Sequence, residues 1–475
     1  MFYSPLAKED LERLHQATLT LLMRTGIQIE DEWTLKFLEK NGIKIDFKRN
    51  RAFFSENLVK EALMKSPRTI KIYAREKKFN LCFGSNQTYG HTPEGAFYVI
   101  KNNELINATL NHLKEMAILV DALDGISFFI PNIIPNDVNP NIGPIYMFKT
   151  SLENTTKVIG PFGHEVKHAK YIVKIGSVVR GGLEELIKKP LFFGMVVPTD
   201  PLIYSKNSLE NLQYYAKLGL PIFFCSMPLS GGTAPVTLAG TIVIQNAVLL
   251  AGIVIAQLIS PGIGCVYAPR ATILDQKSGL AAAGAPEMGL MGAVLTQLAR
   301  ELYSLPVDAG WAVSDSIYPD IQVGYEKMST ILLCMLAGAN SISGLGGLGS
   351  GKIASHAQLI IDNEAFKMAL RIKNSLKIDE NRLALKIIDD VGPGGHFLSR
   401  KHTLTYIKEE HFIPELFFRE GIEKWTREKK TLLALAQKRA VEILNTHKPE
   451  PLSTDCMREL EKIIKEAEKN LASKV

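Results

Sequence analysis

The apolar positions of this chain change period near residue 109. Before it, KEDLERLHQATLTLLMRTG (8–26) spaces its leucines for one helical face, and Gly26 stands where that helix would end. DEWTLKFLEKNG (31–42) repeats the grammar, with Asp31 placed as N-cap and Gly42 as stop. Short strand-like runs follow, RAFFS, TIKIYAR and AFYVI, separated by Gly, Asn and Pro. Beyond residue 109, helical patterns alternate with short continuous apolar runs. TLNHLKEMAILVDAL leads to GISFFIPNIIP, a turn and helix lead to TKVIGPFG, and VKHAKYIVKIGSVVRGG leads to LFFGMVVPTDPL. SLENLQYYAKLGL leads to PIFFCSMPLSGG, and a long apolar helix to GCVYAP. PEMGLMGAVLTQLARELYS then leads to LPVDAGWAVSD, and YEKMSTILLCMLAGA to NSISGLGGLG.

Continuous apolar strands alternating with helices predict a parallel sheet covered on both faces. About seven such strands precede residue 350, with no glycine-rich dinucleotide fingerprint after the first. That favours an α/β fold of the closed (β/α)8 type over an open doubly wound sheet. The eighth strand is expected at Leu359 to Asp362. The divisions expected are an N-terminal α+β extension (1–108), the barrel (109–395) and a charged, helical C-terminal extension (396–475), a cap or an oligomer contact. The long helix, within Ser230 to Gly262, is apolar enough to span a bilayer but contains Gln245, Asn246 and Gln257. Each such group in hydrocarbon costs roughly 1 to 3 kcal/mol. The helix also follows PIFFCSM through a turn at Gly231, Gly232 and Thr233, so a buried helix of a βα unit is expected.

Composition narrows the classes. Of 475 residues, 46% are hydrophobic and 22% charged, a globular balance that excludes disorder. The net charge of +6 is dispersed rather than clustered with aromatics, so no nucleic-acid partner is expected. Cys82, Cys225, Cys265, Cys334 and Cys456 stand far apart, as reduced thiols of a cytoplasmic protein do. MFYSPLAKEDLERLH carries charge where a secretory signal needs an apolar core.

Chemistry in such a fold sits at the C-terminal ends of the strands. Those ends supply Asn132, Gly163 with His164, Thr199 with Asp200, Ser226, Tyr267, Trp311 with Asp315, and the glycines from Gly344. No ready metal-ligand spacing is among them. Lys157 is the candidate for Schiff-base chemistry, against the plainer reading of a strand-edge lysine. GGLGSGK (346–352) imitates a phosphate loop, but Ile353 stands where magnesium needs Ser or Thr. WAVSDSIYPDIQVGYEK (311–327) combines Trp311, Tyr318 and Tyr325 with Asp315, Asp320 and Glu326. Aromatic faces with carboxylates nearby suit a soft cation, whereas composition alone favours a surface turn with Trp311 in the core.

These segments resemble the trimethylamine methyltransferase family, in particular members without pyrrolysine such as glycine betaine methyltransferases. The matching pieces are GGTAPVTLAGTIVIQNAVLLAGIVIAQLISPG (231–262), AGAPEMGLMGAVLTQLAR (283–300), SDSIYPDIQVGYEK (314–327), LAGANSISGLGGL (336–348), LIIDNE (359–364) and VGPGGHFLSRKHT (391–403), with DLERLHQATLTLLMRTGIQI near the start. The resemblance implies a (β/α)8 barrel that passes a methyl group from an amine to the cob(I)alamin of a separate corrinoid protein, with no cofactor held by this chain. In the trimethylamine enzymes a pyrrolysine lies near the positions of Ala312 and Val313 here. This chain has only standard residues, which points to a quaternary amine, already fully charged, as substrate.

The site would then position and desolvate an N-methyl group rather than move protons. A cage of Trp311, Tyr318 and either Tyr89 or Tyr98 is expected, with Asp315 and Glu326 behind it. Asn340, His356 or amides at Gly231, Gly232 and Thr233 are expected to meet a substrate carboxylate, or those amides the corrinoid. Gly346 and Gly347 are expected to let backbone approach a ligand closely. Other readings stay open: a barrel that binds a methylated amine without turnover, demethylation of a tertiary amine or another methylated compound, and a Lys157 lyase. Assembly of several copies is left open as well.

Overall fold

In a computed structural model, which describes residues 2–101, 103–160 and 165–472, the chain is a mixed α/β protein. Eight short strands are each followed by a helix. β1 (Tyr89–Gly90) precedes α1 (Leu110–Ala122), β2 (Phe128–Phe129) precedes α2 (Gly143–Asn154), β3 (Val158–Ile159) precedes α3 (Val166–Arg180), and β4 (Gly194–Val196) precedes α4 (Lys206–Leu218). β5 (Ile222–Ser226) precedes α5 (Leu238–Ile259), β6 (Cys265–Pro269) precedes α6 (Pro286–Leu298), β7 (Asp308–Trp311) precedes α7 (Ile321–Ala337), and β8 (Ser341–Ser343) precedes α8 (His356–Lys373).

Parallel ladders join β2 to β3, β4 to β5, β5 to β6, β7 to β8, and β8 to β1. Parallel bridges at His91–Phe128 and Tyr267–Val307 continue the series from β1 to β2 and from β6 to β7. Only the step from β3 to β4 carries no pairing among the described residues. The strand expected at Leu359 to Asp362 is instead the first half of α8. The missing strand is Tyr89–Gly90, drawn from the N-terminal stretch.

Buried side chains fall into two main clusters, one on each side of the strands. The larger lies between strands and helices and takes most residues of α5. The smaller gathers Phe128, Val158, Phe223 and Val266 from β2, β3, β5 and β6, with Phe193 from just before β4, beneath Ile130, Met195 and Ala268. An antiparallel hairpin (Ile70–Ile72 with Leu81–Phe83) seals it from below. Its Phe83 ring stands edge-on to Phe223 at 5.3 Å, and Tyr73 and Arg75 donate backbone bonds to the carbonyls of Pro190 and Thr156, which precede β4 and β3. The N-terminal end of the strand set is therefore closed by apolar packing.

α5 is the one helix among the described residues long and apolar enough to cross a membrane, and 78% of its most apolar window is buried inside the protein. Its polar residues are paired within the chain. Gln245 donates to the Ser226 carbonyl and accepts from the Ala271 amide; Asn246 donates to Thr18 and Tyr303 and accepts from Tyr267. Gln257 ties the turn after the helix through Ile263 and Gly262. Each amide thus fastens a strand end, the N-terminal helix or a turn onto the core helix.

Candidate functional site

Side chains alternate along a strand, so the residues two beyond the inner apolar ones continue on the same side. Phe128 and Ile130 lead to Asn132; Phe223 leads to Cys225; Val266 and Ala268 lead to Arg270. Phe193 stacks on Phe223 at 3.7 Å and Phe128 meets Phe193 edge-on, which makes an aromatic floor. His91, immediately after β1, stacks on Phe128 at 4.2 Å. Above the floor the inner residues turn polar.

Asp308, in β7, is the hub of that polar tier. Its carboxylate accepts from Arg270, from His91 Nε2 at 3.1 Å and from Ser341 Oγ at 2.6 Å, and its carbonyl takes a second Arg270 bond at 2.6 Å. Burial alone would push this carboxyl up, but Arg270 and His91 outweigh it and hold Asp308 well below the usual range. Asp200, four residues past β4, has only neutral donors, Ser226 Oγ at 3.0 Å and the Met227 amide at 3.1 Å. Burial pushes it up to about 6 against those bonds. Glu94 is raised as well, again by burial, with Arg270 and His91 only near enough to lower it in part. Cys225 sits in the field of Arg270, Glu94, Asp308 and Asp200, and burial lifts its thiol to about 12, far from a nucleophilic thiolate.

Asp308 and Glu94 therefore lie in the field of Arg270 and His91, whereas Asp200 has neither among its neighbours. Neither Asp200 nor Glu94 forms an ion pair among the described residues. Fully buried Asn132 adds a side-chain amide with neither its oxygen nor its nitrogen hydrogen-bonded. Leaving such a group unpaired costs about 1 to 3 kcal/mol. The tier thus encloses two carboxyls outside any ion pair and one side-chain amide without a hydrogen bond.

The loops around it are fastened by charges of their own. Buried Lys327 donates to the carbonyls of Ala312 and Gly344 and to Asp362 at 2.8 Å, while Asp362 also accepts from the Gly346 amide. Asp315 accepts from the Ala283 and Gly284 amides and from Ser350; Glu326 accepts from Ser314, the Asp315 amide and Gln322. These two carboxylates, expected behind a cage, are staples of the loops after β6 and β7.

The expected aromatics do not converge. Trp311 ends β7 and lies against Gly351, whose left-handed backbone leaves no room for a Cβ beneath the indole. Tyr318 is on the outside, donating to Asn103, in a lateral cavity of about 440 Å³ that also holds His356. Tyr98 is exposed on an added strand (Tyr98–Lys101). Tyr89 packs in the floor, its hydroxyl accepting from Cys82 and donating to Gln87. Asn340 braces Val307 and Ser85, at the closed end. His356 is driven down to about 4 by burial, 3.7 Å from Glu115. The amides of Gly231 and Gly232 are taken by Ala234 and Leu229, and Thr233 accepts from Leu229. The Gly346 and Gly347 amides donate to Asp362 and Gly344, so the amides of Gly231, Gly232, Gly346 and Gly347 are all engaged within the chain. Tyr267 points outward to Asn246, and Gly163 with His164 lies outside the described residues. Lys157 stands at the start of β3, its ammonium held by the carbonyls of Val120, Leu123 and Ile126; burial lowers it to about 8. A lysine so engaged, at the closed end, is a helix cap rather than a nucleophile.

Of the strand-end residues, Asn132, Asp200 and Ser226 do reach the polar tier. Arg270, Asp308, His91 and Glu94 join them through the fold rather than through any motif in the sequence. The signal for Asp308 was there, a charged residue inside the apolar run LPVDAGW, where only a paired charge is tolerated.

The family model described as trimethylamine methyltransferase (MTTB) matches residues 1–472. The chain belongs to that family. The trimethylamine methyltransferase of Methanosarcina barkeri is 33% identical over 477 residues, covering 97% of this chain and 94% of that relative. The glycine betaine methyltransferase of Desulfitobacterium hafniense (strain Y51) is 29% identical, covering 97% and 96%. At the level of fold, the crystal structure of the Methanosarcina barkeri monomethylamine methyltransferase aligns over 99% of this chain and 89% of its own, with a TM-score of 0.52 at 10% identity. As a member of the trimethylamine methyltransferase family, the chain is a methyltransferase.

Proposed function

We propose that this chain removes a methyl group from a quaternary amine of the betaine type and delivers it to the cob(I)alamin of a separate, cytoplasmic corrinoid protein. The observation that carries the choice of substrate is the charge balance of the polar tier, where Asp200 and Glu94 are enclosed without an ion-pair partner among the described residues. Enclosed carboxylates are costly unless a cation joins them, and a quaternary ammonium brings a permanent one. At the positions that the resemblance relates to pyrrolysine stand Ala312 and Val313, both buried and without a polar side chain. They offer nothing to activate a neutral amine, so the substrate has to arrive already charged.

The eight βα units are read as a closed (β/α)8 barrel, supported by pairings at every step but one. The boundary of the N-terminal extension then moves from residue 108 to just before Tyr89, and the C-terminal extension follows α8. Trp311 at the rim supplies an aromatic face, and Asn132 a donor for the substrate carboxylate. The corrinoid supplies the nucleophile; the residues of this chain hold the amine, exclude water and move no proton in the transfer.

The test mixes the chain with a corrinoid protein reduced to cob(I)alamin and follows its absorption as glycine betaine, other quaternary amines or trimethylamine is added. Conversion to methylcobalamin with a quaternary amine, and none with trimethylamine, is expected. Turnover of trimethylamine alone refutes the substrate class, and no turnover with any amine refutes the reaction.

A further inference from the structure

The lateral cavity of about 440 Å³ that holds Tyr318 and His356 lies outside the strand set, and no residue of the polar tier lines it. α1 and the start of α8 contribute to its walls, together with the strand Tyr98–Lys101 and the helix Leu432–Thr446. Ile100, Ile118, Leu433, Ala440 and Leu444 give it an apolar stretch. Small-molecule sites of about 300 to 1,000 Å³ combine such a lining with a few placed polar groups. The loop between Trp311 and α7 borders it too, for Tyr318 donates to Asn103 at 2.8 Å and Gln437 donates to the same oxygen at 3.1 Å.

His356 is the placed group. It is the first residue of α8, whose start is fixed by Ser355 accepting from the Gln358 amide. The residue is only 9% exposed, yet its Nε2 has no hydrogen bond among the described residues. Glu115 Oε2 stands 3.7 Å away, too far for one. The other Glu115 oxygen accepts from Asn111 at 3.0 Å and pairs with Lys101 at 3.8 Å. Burial keeps the ring neutral, so no ion pair with Glu115 fills the gap. Buried polar atoms are almost always satisfied, and this one borders an open volume.

The charge around Nε2 selects the occupant. Lys101 and Lys114 line the cavity against one carboxylate, Glu115, and Lys114 has no ion-pair partner among the described residues. A cationic ligand would meet two ammonium groups, and a hydrocarbon would leave Nε2 unpaired. We propose that this cavity is a second binding site, for a small monocarboxylic acid with an apolar body. Nε2 carries the ring proton and donates to the carboxylate, Lys114 neutralises its charge, and the body lies against Leu433, Ala440 and Leu444. What the polar tier binds has no bearing on this site.

Calorimetric titration of the full chain with phenylacetate and hexanoate tests this, with phenylacetamide and phenethylammonium as neutral and cationic counterparts. Saturable binding of one equivalent of each acid is expected, with the amide and the amine weaker by about tenfold or more. Lys114→Gln, at an exposed position, should weaken the acids by about tenfold and leave phenylacetamide unchanged. His356→Phe should abolish acid binding with its circular dichroism kept. In the unmodified chain, the imidazole nitrogen resonances of His356 should shift on titration with phenylacetate. Failure of both acids to bind overturns the proposal, as does equal binding of phenylacetate and phenylacetamide. Acid binding that survives Lys114→Gln and leaves the His356 resonances unmoved overturns it as well.

Discussion

Replacing Asp200 by asparagine separates the cost of the polar tier from its use. In the folded chain burial lifts this carboxyl from 3.8 to about 6, against hydrogen bonds from Ser226 and Met227. The folded state therefore holds the proton more tightly than the unfolded state. The resulting stability is fully present below about pH 4, declines as pH rises towards 6, and is lost above it. The rise corresponds to about 3 kcal/mol. An asparagine side chain has no proton to lose, so Asp200→Asn should gain on the wild type by about 3 kcal/mol between pH 4 and pH 7. The new amide also forfeits one of the two donors, at about 1 kcal/mol, but that loss is the same at every pH. Urea unfolding of both proteins at pH 4, 5, 6 and 7 gives the difference directly. Two stability profiles that run parallel across this range would show that Asp200 is not desolvated, and the cationic site would lose its main support. The same substitution should raise KM for a quaternary amine about tenfold or more, and the wild-type KM should rise as pH falls below 6.

Arg270→Met leaves Asp308 buried without its main partner and should cost about 3 to 5 kcal/mol in chemical unfolding; a loss under about 1 kcal/mol would mean that Asp308 is wet. Lys327→Met removes the clasp on Ala312, Gly344 and Asp362, and should lower the melting temperature and reduce kcat more than KM, because it loosens two loops without touching substrate. An unchanged kcat would detach those loops from the reaction. Gly252→Ala brings a methyl group within 2.1 Å of the Tyr204 hydroxyl in the middle of α5, which should destabilise by about 1 to 3 kcal/mol; a neutral result would show slack between α5 and β5. Quaternary-amine binding should release protons at pH 6 and none at pH 8, as the bound cation draws Asp200 down. Calorimetry in buffers of different ionisation enthalpy measures this, and an absence of proton release at pH 6 would remove Asp200 from the site.

The βα rhythm was legible because the strands are short apolar runs between helices of clear period. β1 was not, since it is two residues long and flanked by Thr88, His91 and Thr92, and its partner Ser341 is some 250 residues away. Closing a strand set is a long-range event that no local window contains. Leu359 to Asp362 failed for the opposite reason: four residues of a buried helix read like a strand, because both are continuously apolar. The site fared in the same manner. Spacing could place Asn132 and Asp200 at strand ends, but an aromatic-rich loop does not reveal which way its rings turn. Tyr318 and Tyr98 went outward, and Tyr89 lies at the closed end.

A methyltransferase acting on a cation faces a conflict that aromatic faces alone do not resolve. Contacts that bind the charged substrate strongly also oppose the step in which that charge leaves nitrogen. A firmly ionised carboxylate such as Asp308 would be the worst neighbour, and here Arg270, His91 and Ser341 already occupy it. Asp200, raised to about 6, is a different kind of partner. It is ionised enough at neutral pH to draw in a quaternary ammonium. After the transfer, with the amine neutral, Asp200 can take a proton from solvent, while Ser226 and Met227 remain to hold its oxygens. The desolvation that makes Asp200 costly to fold thus also keeps it from gripping the charge that must depart.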